Sequence, residues 1–383
     1  MHIKHLSLSN FRNYETLELA LKQGVNLLVG RNGQGKTNLA EAIFYTATLN
    51  SHRVSGYLPL IRHHQDKAVV RLLAGFEDRE NLIELELNSA TPNRARLNRS
   101  DVSRIRDILG LVNAVIFSPE DLDIVKRDPA QRRAYIDDLL VQLTPRLAGV
   151  YSDFERVLKQ RNTLLKTSRH LPSNSPGLDT LSSWDDTLIK LGTEIIFFRQ
   201  ELIQKLRDPL LTSYQAIADE KNNPSVRYSS SIVSDQESET EFLETTDRNE
   251  IEELFRKKLV QVRPKELERG ISMVGPHRDD LVLFLGDFPA KGYVSHGESW
   301  SYALALKLAS AKLLKAESRA GDPILILDDV FAELDSTRRS RLAELVSDNE
   351  QVIITAAVSE DVPVSLQAHR VAVTAGTIEV ING

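Results

Sequence analysis

The segment Gly30-Arg31-Asn32-Gly33-Gln34-Gly35-Lys36-Thr37 matches the phosphate-loop pattern GxxxxGK[ST] at every fixed position. It follows a short apolar run, Val25 to Val29, and precedes a helix predicted over Asn38–Leu49. That strand–loop–helix context is the one the pattern requires. Glycines let such a loop curl until its backbone N–H groups converge on a β-phosphate, with the positive end of the next helix behind them. Lys36 is expected to neutralise the β- and γ-phosphates, and the Thr37 hydroxyl to ligate Mg²⁺. A nucleotide site in an α/β fold is the direct implication.

A second motif lies near the other end of the chain. Ile324-Leu325-Ile326-Leu327 reads as a buried central strand, and Asp328-Asp329 stand at its C-terminal edge, where open α/β sheets place their ligand chemistry. Asp328 is expected to hold Mg²⁺ through water, and Asp329 to orient or deprotonate an attacking water. About 30 residues earlier, Ser295-His296-Gly297-Glu298 opens a predicted helix, Ser299–Ala316; Asp335 follows in Ala332-Glu333-Leu334-Asp335. The Ser295 loop has two readings. It is a plain N-cap, or it is a second phosphate-binding helix start, which makes sense if it serves the nucleotide of another subunit.

Strand-like sequence fills the first third, including Ile3–Leu8 and an antiparallel pair at 68–73 and 82–87. From about Asp121 to Leu211 the pattern changes to long amphipathic helices, among them Gln131–Leu143 and Tyr151–Leu165. A turn-rich break falls at 171–177, Asn222-Asn223-Pro224 ends the section, and Glu250–Val262 is a further helix. Strand character returns at Leu281–Leu285. The expected organisation is an α/β domain built from both chain ends, 1–115 plus 272–383, around a mainly helical insertion at 116–271.

With 383 residues, 41% hydrophobic and 27% charged, the chain is long enough to bury a full core. The absence of cysteine excludes disulfides, thiolate metal sites and a cysteine nucleophile. No run approaches the ~18 apolar residues of a membrane span. The first residues lack a signal-peptide core, so a cytoplasmic location with no membrane partner is expected. The net charge of −6 hides segregation: Arg94–Arg106 holds five arginines and one aspartate, and 126–170 holds ten Lys/Arg and five Asp/Glu. Residues 234–253 hold nine carboxylates and one arginine. The basic clusters are solvated helix faces or nucleic-acid contacts. His277, beside Asp279 and Asp280, reads as a Gly-Pro turn entering a strand more readily than as a metal cluster.

This order of motifs resembles ABC-type ATPase heads, with phosphate loop, insertion, signature loop, acidic strand and D-loop. Within that class the chain resembles the RecF family over essentially its whole length. The specific residues are Leu8-Ser9-Asn10-Phe11-Arg12-Asn13-Tyr14, Gly30–Ala42, Ser51-His52-Arg53, Phe117–Leu122, Gln131-Arg132-Arg133, Gly275-Pro276-His277-Arg278-Asp279-Asp280, Ser295–Glu298 and Leu327–Asp335. The resemblance implies a two-lobed, SMC-like head without the long coiled coil. It implies a homodimer with ATP between subunits that binds DNA in that state, at gaps, single-strand/double-strand junctions or duplex, without sequence preference. It further implies a weak DNA-stimulated ATPase supporting RecA loading with RecR and RecO, the SOS response and replication, in a nucleoid-associated location. Transferred residue by residue, Lys36 and Thr37 take the phosphate and metal roles and Asp328 the metal-water role. Asp329 stands where many relatives of this class have a catalytic glutamate. Ser295, with Gly297 and Glu298, reaches the γ-phosphate across the dimer, and Asp335 shares that interface. Arg12 and Asn13 help hold the nucleotide.

Two departures from the ABC pattern point toward a slow switch. Gln351-Val352-Ile353-Ile354-Thr355-Ala356 has no histidine where transporters carry a switch histidine, and Phe117-Ser118-Pro119-Glu120 stands where a metal-side glutamine is common. Asp329 is also one methylene shorter than glutamate. A turnover well above ~1 s⁻¹, near the enzyme median of about 10 s⁻¹, would count against a switch. The competing expectations are an ABC transporter's ATPase subunit and a nucleotide kinase or other phosphate-loop enzyme. The long insertion disfavours the first, and the second has no use for another phosphate-binding helix start near 295.

Overall fold

The computed structural model describes residues 1–168, 176–218, 222–233, 242–318, 320–366 and 368–381. The break expected at 171–177 thus falls largely outside the described residues, as do residues 234–241 of the acidic stretch.

Among the described residues, three sheets organise the fold. The first is antiparallel, in the order β2 (Tyr14–Ala20), β1 (His2–Phe11), β4 (Lys67–Phe76), β5 (Arg79–Asn88), β6 (Arg94–Leu97), β7 (Ser100–Asp101). The second holds five parallel strands and one antiparallel edge. Its order is β15 (Thr377–Ile381), β14 (Ala368–Thr374), β3 (Gly24–Val29), β13 (Gln351–Ala356), β12 (Ile324–Asp328), β8 (Ala114–Phe117). The third is a small antiparallel sheet, β11 (Phe288–Pro289), β10 (Asp280–Leu285), β9 (Pro224–Ser229).

The parallel sheet is the middle layer, and alternation along its strands explains why. Leu28, Ile116, Ile324, Ile326 and Ile353 pack into one core with the antiparallel sheet and α1 (Lys36–Thr48). Their neighbours Leu27, Phe117, Leu325, Leu327 and Ile354 pack into the other, with the helices. A strand buried on both faces must be apolar at successive positions, which is the pattern of Ile324–Leu327. On the helical side lie α2 (Leu122–Lys126), α3 (Pro129–Leu143), α4 (Leu147–Thr167), α5 (Pro176–Ile217), α6 (Arg248–Arg269), the single turn α7 (Ala290–Tyr293), α8 (His296–Glu317) and α9 (Ser336–Ser347).

The expected elements are found with shifted ends. Helix α6 runs past Val262 through Pro264 to Arg269. The carbonyl that Pro264 leaves unpaired belongs to Val260, whose side chain is exposed, so water can satisfy it. Strand β9 was not expected, because Pro224 reads as a terminator. At the first position of an edge strand, its missing N–H costs no ladder bond. Strand β8 runs two residues beyond 115 before the chain leaves the sheet.

Candidate functional site

The loop 30–37 joins β3 to α1 at the C-terminal edge of the parallel sheet. Two of its glycines are required by their surroundings. A Cβ on Gly30 would stand 2.1 Å from the Val373 carbonyl oxygen. Gly35 has φ +113°, and a Cβ there would meet the Tyr14 hydroxyl at 2.6 Å and Asn13 Nδ2 at 2.7 Å. Arg31, Asn32 and Gly33 form the exposed crest. Gln34 anchors it: its side-chain Oε1 accepts from Ala375 N at 2.5 Å, and its carbonyl accepts from Gly376 N and Asn13 Nδ2, each at 3.3 Å. Lys36 is buried, and its ammonium donates back to the Gly30 carbonyl at 2.7 Å. The loop is therefore held in shape from three sides, with its lysine folded beneath it.

Asp328 ends β12, two strands from β3, and Thr355 of the intervening β13 is its register partner. Asp328 Oδ1 accepts from Thr355 Oγ1 at 2.6 Å and from Thr37 Oγ1 at 3.1 Å. Among the described residues, no hydrogen bond reaches its Oδ2. Burial, joined by the nearby Asp329 and Glu120 charges, pushes this carboxyl up to about 6. Asp329 follows in the left-handed region, φ 52°, half-exposed, with its N–H donating to Thr355 Oγ1 at 3.0 Å. On the far side of β12, Ser118 is the first residue past β8. Its buried hydroxyl has no partner among the described residues.

Arg12, the residue after β1, reaches across to α1. Its guanidinium forks onto Glu41 of α1 at 2.7 and 2.6 Å and donates to the Pro59 carbonyl at 3.0 Å. Glu41 is completely buried and also receives Ser51 Oγ at 2.5 Å, with Arg53 3.6 Å away. Burial alone would raise its carboxyl, but Arg12, Ser51 and Arg53 together hold it below the ordinary range. Asn13 braces the loop and accepts from Asn38 Nδ2 at 2.7 Å. Arg12 and Asn13 thus lie beside the loop and support it.

Ser295, Glu298 and Asp335 come together in a separate cleft. Ser295 is exposed and caps α8: Glu298 N donates to its Oγ at 3.2 Å, and its own N–H donates to Glu298 Oε2 at 2.7 Å. This is a reciprocal capping box. Asp335 caps α9 through Arg338 N at 2.9 Å, and Arg338 bridges to Ser301 Oγ at 3.0 Å while packing over Gly297. Among the described residues, no hydrogen bond joins this cluster to loop 30–37.

Sequence reasoning singled out the segments 351–356 and 117–120 but gave no role to Thr355 or Ser118 within them, nor to Glu41. Thr355 lies near the end of an apolar strand as Asp328 ends its own, and Glu41 is a single charge inside Leu39-Ala40-Glu41-Ala42-Ile43; both are visible signals in the sequence. The basic cluster 126–170 is less available than its count implies. Arg132 and Arg161 are buried in ion pairs with Asp280, and with Asp185 and Glu266.

Comparison with known proteins identifies the family and the fold. The sequence model of the RecF/RecN/SMC N-terminal domain family matches residues 2–379. A protein of Leifsonia xyli described as DNA replication and repair protein RecF is 49% identical over 99% of both chains. A RecF of Frankia alni is 51% identical, again over 99% of both. Among solved structures, the recombination mediator protein RecF-ATP of the RecFOR pathway aligns with TM-score 0.88 and 28% identity, covering 100% of this chain and 98% of that one. An Smc head bound to the C-terminal winged-helix domain of ScpA aligns over 100% and 97% with TM-score 0.53 and 14% identity, a likeness of fold alone. The chain belongs to the RecF family, with the fold of an SMC-like, ABC-type ATPase head.

Proposed function

We propose that this protein binds ATP with Mg²⁺ at loop 30–37 and dimerises around two nucleotides. Ser295 of each copy would meet the γ-phosphate held by the other, and DNA would bind in that state. The observation that carries the reading is the pairing of Thr37 Oγ1 with Asp328 Oδ1 at 3.1 Å beneath a loop shaped for phosphates. The site fits Mg²⁺ in the manner of nucleotide enzymes. It offers a hydroxyl and one carboxylate, and no cluster of three or more His, Asp or Glu suited to a metal exists among the described residues. Magnesium commonly takes one or two protein ligands and leaves the rest to phosphate and water. The bound ion would neutralise charge on the transferred phosphoryl group.

The chain's own residues do the rest. Lys36 exchanges its carbonyl partners for phosphate oxygens. Asp328, held by two threonine hydroxyls, would help hold the ion from its Oδ2 side. Asp329 accepts the proton of the water that attacks the γ-phosphorus as the bond to the ADP oxygen breaks. Ser118 offers a further hydroxyl at the same edge. Arg12 and Asn13 hold the loop rather than the nucleotide in this reading. The exposed Ser295 and Asp335 serve the partner copy, because among the described residues no hydrogen bond ties them to their own loop.

The same division into lobes is proposed, with sheets from both chain ends forming one and the helices between them the other. A weak, DNA-stimulated ATPase acting as a switch, with RecO and RecR as partners in loading RecA, is part of the same proposal, supported by family membership. So are roles in the SOS response and replication, and a nucleoid-associated cytoplasmic location. The first test is nucleotide binding by Lys36→Ala: loss of ATP binding in a folded variant is expected, and retained affinity would overturn the assignment.

A further inference from the structure

The motif Gly275–Asp280 lies outside the nucleotide machinery, yet its polar groups are almost entirely engaged. Asp279 is buried, and its carboxylate accepts from the Tyr228 hydroxyl at 2.7 Å, Ser230 Oγ at 3.0 Å, and Ser231 N and Oγ at 2.7 Å each. Its carbonyl accepts from Arg133 of α3 at 2.7 Å. Asp280 takes a bidentate fork from Arg132 of α3, at 2.7 and 2.8 Å. The Pro276 carbonyl takes Arg199 of α5 at 2.7 Å, and Arg199 also forks onto Asp137 of α3. Ser231 closes the ring: the hydroxyl that donates to Asp279 accepts from the Gly275 N–H at 2.9 Å. Four of these six residues, Gly275, Pro276, Asp279 and Asp280, therefore fasten α3, α5 and the end of β9 to the start of β10.

Strand β10 leads through β11 and α7 directly to Ser295. Helix α8, which Ser295 caps, is tied back to the same elements. Tyr302 donates to the Ser225 carbonyl of β9 at 2.7 Å, and Tyr135 of α3 donates to the Leu306 carbonyl at 3.0 Å. The exposed serine thus stands at the end of a short chain segment whose root is clamped by charge-assisted bonds, roughly twice as strong as neutral ones.

We infer that Gly275–Asp280 is a clasp that positions Ser295 by locking the start of β10 to α3, α5 and β9, the elements to which Tyr302 and Tyr135 tie α8. Asp279 and Asp280 are positioning residues: their carboxylates are taken up by Tyr228, Ser230, Ser231 and Arg132, and they act through the segment that carries Ser295. This inference rests on the reading that Ser295 serves a second copy. It adds that the fit of that serine is set some fifteen residues upstream.

Two variants of the full chain test it, Asp280→Asn and the milder Ser231→Ala, with hydrogen exchange, ATP binding and ATP-dependent dimerisation measured on each. Exchange in 286–299 of the nucleotide-free protein is expected to rise, while exchange in 24–48 stays at the parent level. ATP affinity of the monomer should remain within about twofold, whereas ATP-dependent dimerisation weakens about tenfold, a typical coupling between sites. Unchanged exchange in 286–299 in both variants overturns the clasp. Equal loss of ATP affinity and dimerisation also overturns it, because the motif would then serve the fold as a whole. So does failure of both variants to fold. A parent protein that stays monomeric with ATP would instead overturn the dimer reading, while the exchange result still decides whether the clasp holds the segment.

Discussion

Thr355, the next-to-last residue of β13, and Asp328, the last of β12, are register partners on neighbouring parallel strands and are joined by a 2.6 Å hydrogen bond. The same hydroxyl accepts the Asp329 N–H at 3.0 Å. One threonine therefore orients both acidic residues of the site. Thr355→Val removes the donor with little change of shape. ATP binding should persist while turnover falls about 10- to 100-fold, the usual penalty for losing a partner that orients a metal-site ligand. Single-turnover hydrolysis checks this; an unchanged rate would remove Thr355 from the mechanism.

The raised carboxyl of Asp328 makes stability depend on pH. Its folded value, about 6, lies above the ordinary 3.8. The folded state thus keeps a proton that the unfolded chain releases, so this group's contribution falls as pH rises from about 4 to about 6. In nucleotide-free protein, Asp328→Asn should then be more stable than the parent at pH 7.5, by up to about 3 kcal/mol, with little difference near pH 4. Urea melts at both pH values decide it, and equal stability at pH 7.5 would contradict the account.

Glu41 and Lys36 should separate support from binding. Glu41→Ala leaves the Arg12 fork without its buried partner and should cost about 3 kcal/mol. Lys36→Ala removes a buried cation whose only protein partners among the described residues are loop carbonyls. It should leave the unliganded melting temperature unchanged or higher while abolishing ATP binding. Calorimetry with and without ATP reads both variants, and the reverse pattern would exchange their roles.

Much of this was legible in the sequence, because both motifs tie residue type to place. A glycine loop after an apolar strand, and two aspartates after another, fix the sheet edge where Thr37 and Asp328 meet. The order of the strands was not legible: nothing local reveals that β13 lies between β3 and β12, and so Thr355 went unnoticed. Ser295 was read both as a cap and as a phosphate contact. The structure shows the cap geometry, and it leaves the hydroxyl in an exposed position compatible with the second role. The basic cluster 126–170 misled for a plain reason. A charge count does not distinguish Arg161, fully buried between two carboxylates, from Arg156, 71% exposed.

Arg94 and Arg104 are exposed, one on β6 and the other in the turn after β7. If this face meets phosphates, replacing either by alanine should weaken duplex binding uniformly across sequences and reduce the salt slope by about 1. Titrations at several salt concentrations measure the slope. An unchanged slope returns both arginines to ordinary solvated surface.

In the proposed dimer, Ser295 of one copy completes the ATP site at loop 30–37 of another. Sedimentation and duplex-DNA binding, without nucleotide, with ATP·Mg²⁺, and with ATP·Mg²⁺ on Ser295→Arg, decide whether it does. The expected result is a monomer that becomes a tighter DNA-binding dimer with ATP, and a variant that binds ATP yet stays monomeric. DNA binding indifferent to ATP, or a Ser295→Arg variant that dimerises like the parent, would contradict it.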